Sequence, residues 1–413
     1  MMIGPISALK RLKAAALRFP ADGRVFRLLA PQSPPAQPGS RHQLAICDLI
    51  PNLGDKIMVY PLLDALRREN PTLEISYFTS GAGQVIGQHP AVDHLYVMGP
   101  PPMDYPLFYP ALPVFMIYLW WRRELRKLRF DTVVVLRGGV DPFFSHHLAW
   151  LLGGRSRVSY STLLEPEKPA SQFNVSPLFT AEITRIDGAH EVSRGGEVLQ
   201  LAGLLHQSID IQRPVDSLID LAQGDAATSF LIEHGLHDRA YAVISPGASI
   251  TRRAWPSERF AELALREFVP RGWLPVITGG PELSEVAQEI VERCGGQALD
   301  LTGKTSFLQL AGVCRHAKCY VANDSGTAHM AGACGTPTLI VTAFAQSSLR
   351  THHASPWRSH PVGPRVAVVQ PKSQLSPCSS ECIATEPHCI CQIEVDEVQL
   401  ALKNLLLKSG TMP

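Results

Sequence analysis

Residues 320–335 read YVANDSGTAHMAGACG, and the fold turns on them. An apolar run ends at Ala322, the five residues Asn323 to Thr327 are small and polar, and Ala328, Met330, Ala331 and Ala333 then follow in a helical pattern. That order describes a strand, a tight turn and a helix start. The first turn of a helix leaves about four N–H groups without intrahelical partners and carries roughly half a positive charge, so a Gly- and Ser-rich turn there suits an anion such as a diphosphate. It equally suits an ordinary capped helix with Asp324 or Ser325 at the N-cap.

Upstream, residues 241–249 (YAVISPGAS) form a strand running into a Pro-Gly turn, with TRRAWPSER at 251–259 behind it. Residues 274–282 (LPVITGGPE) form another strand ending in glycines. Strand-to-loop junctions separated by helical patterns describe a Rossmann-like parallel sheet whose carboxyl-end loops converge on one ligand. The first half of the chain has the same rhythm. Residues 43–50 read as a strand, 51–54 (PNLG) as its turn, and 55–70 as a helix with Ile57, Leu62, Leu63 and Leu66 on one face. Strands follow at 73–78 and 131–136, while SGAG at 80–83 lacks the third glycine and the acid of a dinucleotide fingerprint. Asp55 stands at a helix start, either as a dipole-stabilised first-turn acid or as a base that takes a proton from a hydroxyl.

The segments SPGAS (245–249), RAWP (253–256), TGGPE (278–282), LTGKTS (301–306) and NDSGTAH (323–329), with NLGDKIMVYPLLDAL at 52–66, occur in an order and spacing that resembles glycosyltransferase family nine, the ADP-heptose:lipopolysaccharide heptosyltransferases. GAHEVS at 188–193 is similar to a family segment before a long helix. The resemblance implies an α/β fold of GT-B type, two Rossmann-like domains with parallel sheets facing a cleft. It implies an inverting transfer of heptose from ADP-heptose to a lipopolysaccharide-core hydroxyl, with Asp55 as general base and no metal needed for catalysis. The diphosphate would rest on the amides of Ser325, Gly326 and Thr327, and Asp324 would meet hydroxyls of the sugar. Arg253 stands where the family usually has Lys, and its guanidinium keeps the phosphate contact. Ser249 belongs to the same donor set, Glu282 at a strand end suits ribose hydroxyls, and Lys304, Thr305 and Ser306 resemble the loop around the base. His329 is read either as a further donor to the diphosphate or as a satisfied interface histidine. Arg137, in the polar exit loop of a strand, is a weaker candidate for an acceptor anion.

With 413 residues the chain is long enough for two cores, and Lys plus Arg (38) nearly balances Asp plus Glu (37), which argues against a nucleic-acid partner. Positive charge is local. Residues 1–30 carry Lys10, Arg11, Lys13, Arg18, Arg24 and Arg27 against Asp22 alone, and read either as a basic amphipathic helix on anionic lipid or as a disordered extension. Residues 114–121 are apolar and aromatic and run into Arg122, Arg123, Arg126, Lys127 and Arg129. That pattern fits a membrane surface, or a core helix with a solvated basic end. No apolar stretch reaches the roughly 20 residues that span a bilayer, and no signal peptide is evident, so a cytoplasmic protein is expected, at the cytoplasmic face of the inner membrane if its acceptor is an anionic glycolipid.

The domains expected are a basic extension with a Pro-rich linker (1–40), an acceptor-side domain (41–212), a nucleotide-sugar domain (213–393), and a final helix (394–413) that the resemblance implies crosses back to the first domain. Residues 211–225 read as the connecting linker. Of the nine cysteines, Cys378, Cys382, Cys389 and Cys391 form a cluster that can hold structural Zn or Fe, although its spacing is not that of paired knuckles. Two other functions stay open: protein O-heptosylation or transfer of another sugar, and a catalytically silent sugar-nucleotide-binding protein, against which the acid at Asp55 argues.

Overall fold

Among the described residues of the computed structural model every strand pairing is parallel, in two six-stranded sheets. The structure describes residues 22–37, 41–99, 111–137, 143–161, 174–185, 189–248, 250–352, 355–378 and 383–408. The first sheet contains β1 Gln43–Cys47, β2 Glu74–Ser80, β3 His94–Met98, β4 Thr132–Val135, β5 Ser156–Tyr160 and β6 Ala181–Ile183, in the order β3-β2-β1-β4-β5-β6. The second contains β7 Tyr241–Ser245, β8 Leu274–Ile277, β9 Leu299–Asp300, β10 Tyr320–Asn323, β11 Thr338–Val341 and β12 Val366–Val369, in the order β12-β11-β10-β7-β8-β9. Most of these strands are apolar and buried at successive residues, as parallel strands covered by helices on both faces must be.

The helices are α1 Gly23–Leu29, α2 Leu53–Glu69, α3 Ala111–Trp120, α4 Ser145–Leu152, α5 Glu191–Leu201, α6 Asp216–Ala222, α7 Asp225–Glu233, α8 Ser257–Leu263, α9 Ser284–Arg293, α10 Phe307–His316, α11 Gly326–Ala333, α12 Pro356–Ser359 and α13 Val395–Lys408. The chain divides into two units. One comprises Met1–Asn52, Leu62–Asp187 and Glu191–Ile209, the other Leu53–Pro61, Gly188–His190 and Asp210–Pro413. The first turns of α2, Asp55 included, group with the second unit and not with the first.

In the first unit, the core around Phe78, Trp120, Trp121, Phe130 and Trp150 also receives the segment expected to be a linker. Ser33 N–H donates to the Leu151 carbonyl (2.9 Å), Ala36 N–H to that of Phe130 (3.1 Å), and the Trp121 indole N–H to the Ser33 hydroxyl (3.1 Å). Proline removes donors and fixes φ but does not prevent the residues between from using their own amides. The approach is close enough that a side chain at Gly153, whose φ is +77°, would collide with the Ser33 carbonyl.

In the second unit, Trp255, Phe260, Ile277, Val321 and Leu339 pack with Ile393, Val398, Leu402 and Leu406. The last helix therefore completes this core, where the sequence reading had it crossing back to the first domain. Residues 211–225 are also not a plain linker, because α6 lies among them with Leu218 and Ala222 buried.

Candidate active site

In the second sheet the strand order reverses between β7 and β10, and ligands of open parallel sheets bind at the carboxyl ends of strands flanking such a switch. The last residue of β10 organises that edge. Asn323 is fully buried; its amide nitrogen donates to the Pro246 carbonyl (2.6 Å) and its amide oxygen accepts from the Trp255 N–H (2.9 Å). One side chain thus clamps both ends of the loop that follows β7. Trp255, in turn, buries its ring edge-on to Phe260 and donates its indole N–H to Ile393.

Below the turn lies a chain of hydroxyls. Thr278 bonds Tyr320 (3.1 Å), Ser245 bonds Thr327 (3.0 Å), and Thr327 bonds Ser325 (3.1 Å). Ser325 occupies the N-cap position of α11, but its hydroxyl makes no bond to the helix amides. The N–H groups at the start of this helix are therefore not consumed by a Ser325 side-chain cap.

The start of α2 lies against the start of α11. A Cβ at Gly326 would stand 2.8 Å from Leu53 Cβ and 2.9 Å from the Gly54 nitrogen, and one at Gly54 would stand 2.9 Å from the His329 ring. Only glycine at both positions allows the two helix starts to meet. Asp55, half-buried in the first turn of α2, is next in the chain.

Asp324 has an open surface, yet protein atoms crowd its carboxyl. This crowding raises its pKa to about 6 while the Arg253 guanidinium pulls the other way. A carboxylate so poorly solvated gains from sugar hydroxyls that donate to it. His329 is buried and pushed down to about 3, first by burial and then by His190 and His360. It is therefore neutral, and among the described residues nothing hydrogen-bonds its Nδ1. A satisfied structural histidine would have a partner there. His190, itself held near pH 4 by burial and by His360, uses its Nε2 on the His360 carbonyl (2.7 Å).

Arg253, Asp324, Ser325, Gly326, Thr327 and His329 are thus brought together, with Asp55 on the adjoining helix start. Glu282 is exposed on the loop after β8, and Gly303 N–H joins that loop to the one after β9 through the Gly279 carbonyl (2.8 Å). Lys304 reaches back to the Asp300 carbonyl (2.8 Å), Thr305 is half-buried, and Ser306 caps α10 in a reciprocal pair with Gln309. Ser249 and Cys382 lie outside the described residues, as do 138–142 beyond Arg137, which itself is half-buried after β4. Sequence reasoning missed the Asn323 clamp, the Thr278–Tyr320 link and the pair His190 and His360. The stretch GAHEVS was noticed, but nothing local told where its histidine would point.

The cysteine cluster assembles differently from expectation. Cys378 Sγ and Cys389 Sγ lie 3.9 and 3.7 Å from His388 Nδ1, and the three ligand atoms are all within 4.8 Å of one another. Burial would raise the Cys378 thiol, but the amides of Ile383 and Ala384 and its contacts with His388 and Cys389 bring it down to about 7. Cys391 packs on the apolar core while its carbonyl accepts from Arg259 (2.9 Å). Residues 389–392 form a turn with three residues per repeat, so positions 389 and 391 face different sides.

Comparison with known proteins defines the class. Residues 119–387 match Glycosyltransferase family 9 (heptosyltransferase), and the chain belongs to that family. It is similar to Lipopolysaccharide heptosyltransferase 3 of Escherichia coli K12, at 24% identity over 69% of this chain and 78% of the relative. A second E. coli Lipopolysaccharide heptosyltransferase 3 is 30% identical over 26% of this chain, and that match spans only 32% of the relative. Among solved structures, a glycosyl transferase family 9 protein from Veillonella parvula DSM 2008 superposes with a TM-score of 0.64 at 22% identity, over 90% of this chain and 99% of that one. The E. coli heptosyltransferase WaaC with ADP gives 0.63 at 18% identity, over 88% and 99%. These likenesses make the fold GT-B in type.

Proposed function

We propose that the protein moves a heptosyl group from ADP-heptose to a hydroxyl of a lipopolysaccharide-core acceptor, an anionic glycolipid, with inversion at the anomeric carbon. The observation that carries this reading is the meeting of two helix starts through glycine alone, with an acid in the first turn of one and an uncapped Gly-Ser turn on the other. In the reaction the acceptor oxygen bonds to the anomeric carbon as the bond to the diphosphate oxygen breaks. Asp55 takes the hydroxyl proton. The negative charge left on ADP is met by the amides of Ser325, Gly326 and Thr327, by Arg253, and by neutral His329 as a hydrogen-bond donor. Asp324 accepts from the sugar hydroxyls, Glu282 from the ribose, and Lys304 to Ser306 flank the base, with Ser249 in the same donor set and Arg137 toward the acceptor. Relatives named as lipopolysaccharide heptosyltransferases and a structural neighbour holding ADP support the donor and acceptor classes. The test is mass spectrometry of the purified protein offered a panel of nucleotide sugars. Consumption of ADP-heptose with one heptose added to a core acceptor is expected, and preference for a different donor overturns the assignment. Among the described residues no helix is long and apolar enough to cross a membrane, and this reading puts the protein at the cytoplasmic face of the inner membrane.

The Cys378, His388 and Cys389 triad supports a structural metal apart from the chemistry. Tetrahedral Zn²⁺ with Zn–S near 2.3 Å and Zn–N near 2.1 Å requires S···N separations of about 3.6 Å. The two observed separations, 3.9 and 3.7 Å, are close to that. Elemental analysis of the full chain is expected to find Zn or Fe that Cys378→Ser and Cys389→Ser lose and Cys391→Ser keeps. Equal metal content in all three variants would remove this site.

A further inference from the structure

Helix α3 and the turn Trp121–Leu125 that continues it are apolar on two opposite faces. Val114, Ile117, Trp120, Trp121 and Leu125 go into the core of the first unit. The other face presents Leu112, Phe115, Met116 and Leu119 at the i, i+3, i+4, i+7 spacing of a helix stripe, with Phe115 54% and Met116 40% exposed. A helix apolar on both sides is suited to apolar surroundings on both sides. Directly after the outer stripe, on the same face, come Arg122, Arg123, Arg126 and Lys127, all exposed. None of the four has a carboxylate partner among the described residues, and the acid between them, Glu124, is engaged by the Trp120 indole N–H (3.0 Å).

From this face we infer a membrane-docking surface: Phe115 and Met116 enter the lipid of an anionic bilayer while Arg122, Arg123, Arg126 and Lys127 meet its headgroups. Charge decides the occupant. The segment 1–21 of the chain itself carries Lys10, Arg11, Lys13 and Arg18 and no acid, so it repels the basic end of the stripe and adds to its attraction for an anionic surface. A second copy of the chain would bring the same cations against themselves. An anionic bilayer offers both an apolar interior and negative charge, in the order in which this face presents their complements. The inference deepens the glycolipid-acceptor reading, and docking is measured on vesicles free of acceptor so that its failure is distinguishable from failure of transfer.

The experiment is co-sedimentation of the full chain with phosphatidylcholine vesicles with and without phosphatidylglycerol. Each cation at an anionic surface strengthens binding roughly fivefold, so preference for anionic vesicles of at least about tenfold is expected. It should fall steeply as salt rises, since screening acts within about 10 Å at 0.1 M. Neutralising the four cations to Gln lowers the preference steeply and leaves only the part that the basic segment 1–21 adds, whereas Phe115→Ser with Met116→Ser lowers binding to both vesicle types. Transfer to a delipidated, water-soluble acceptor stays at the parent rate in both variants and reports that they are folded. Equal recovery on the two vesicle types, indifference to salt, or a four-cation variant that binds like the parent overturns the proposal. So does salt-independent self-association or capture of an acidic protein without any lipid binding.

Discussion

Asp55→Asn is expected to lower turnover by about 10²-fold or more while leaving ADP-heptose affinity within about threefold, the signature of a lost general base. Asn keeps the size and the hydrogen-bonding reach of the side chain and removes only its capacity to hold the acceptor proton. Steady-state kinetics with calorimetry of donor binding makes both measurements. Unchanged turnover would leave Asp55 as a first-turn acid that stabilises α2 through the helix dipole and nothing more.

The second large effect concerns a residue that touches no substrate in the proposed mechanism. Trp255 is 1% exposed, its backbone N–H is held by Asn323, and its indole N–H is spent on the carbonyl of Ile393. Trp255→Ala empties a core site and removes one of two donors to that carbonyl, the other being the Arg259 guanidinium, which should cost about 3–5 kcal/mol of stability, most of it from the cavity. Because Arg253 lies two residues before it on the clamped loop, donor affinity should fall with stability. Trp255→Phe keeps much of the buried area and loses the N–H, so a cost nearer 1 kcal/mol is expected. Denaturant unfolding with and without ADP reads both variants, and an Ala variant within about 1 kcal/mol of the parent would mean that the loop is held by other contacts.

Much of this was legible in the sequence because parallel strands announce themselves. Tyr241 to Ile244 and Tyr320 to Ala322 are unbroken apolar runs, and the turns after them carry the glycines and hydroxyls that a close-approaching ligand needs. The family resemblance then put the candidate residues on those turns. What it did not reveal depends on contacts across long separations. Nothing near Asn323 says that its amide will reach residues 246 and 255, and nothing near His190 says that it will lie beside His360, 170 positions away. Likewise, the cysteine spacing named Cys391 as a ligand, but a tight turn rotates it toward the core and leaves His388 in the cluster. Residues 31–37 misled for a different reason: composition records which prolines interrupt regular structure, not that the intervening amides find carbonyls to bind.

The place of α13 has a consequence for biosynthesis. Chains emerge from the ribosome at about 5–20 residues per second, and domains close as their parts become available. The residues of the first unit end at Ile209, whereas the core of the second includes Val398, Leu402 and Leu406. A nascent chain therefore carries an unfinished second core until residues 395–406 are made, and the turn at Asp324 matures only after them. Ribosome stalling or proteolysis before residue 395 would release a species with its first unit complete and its donor-binding half exposed to quality control.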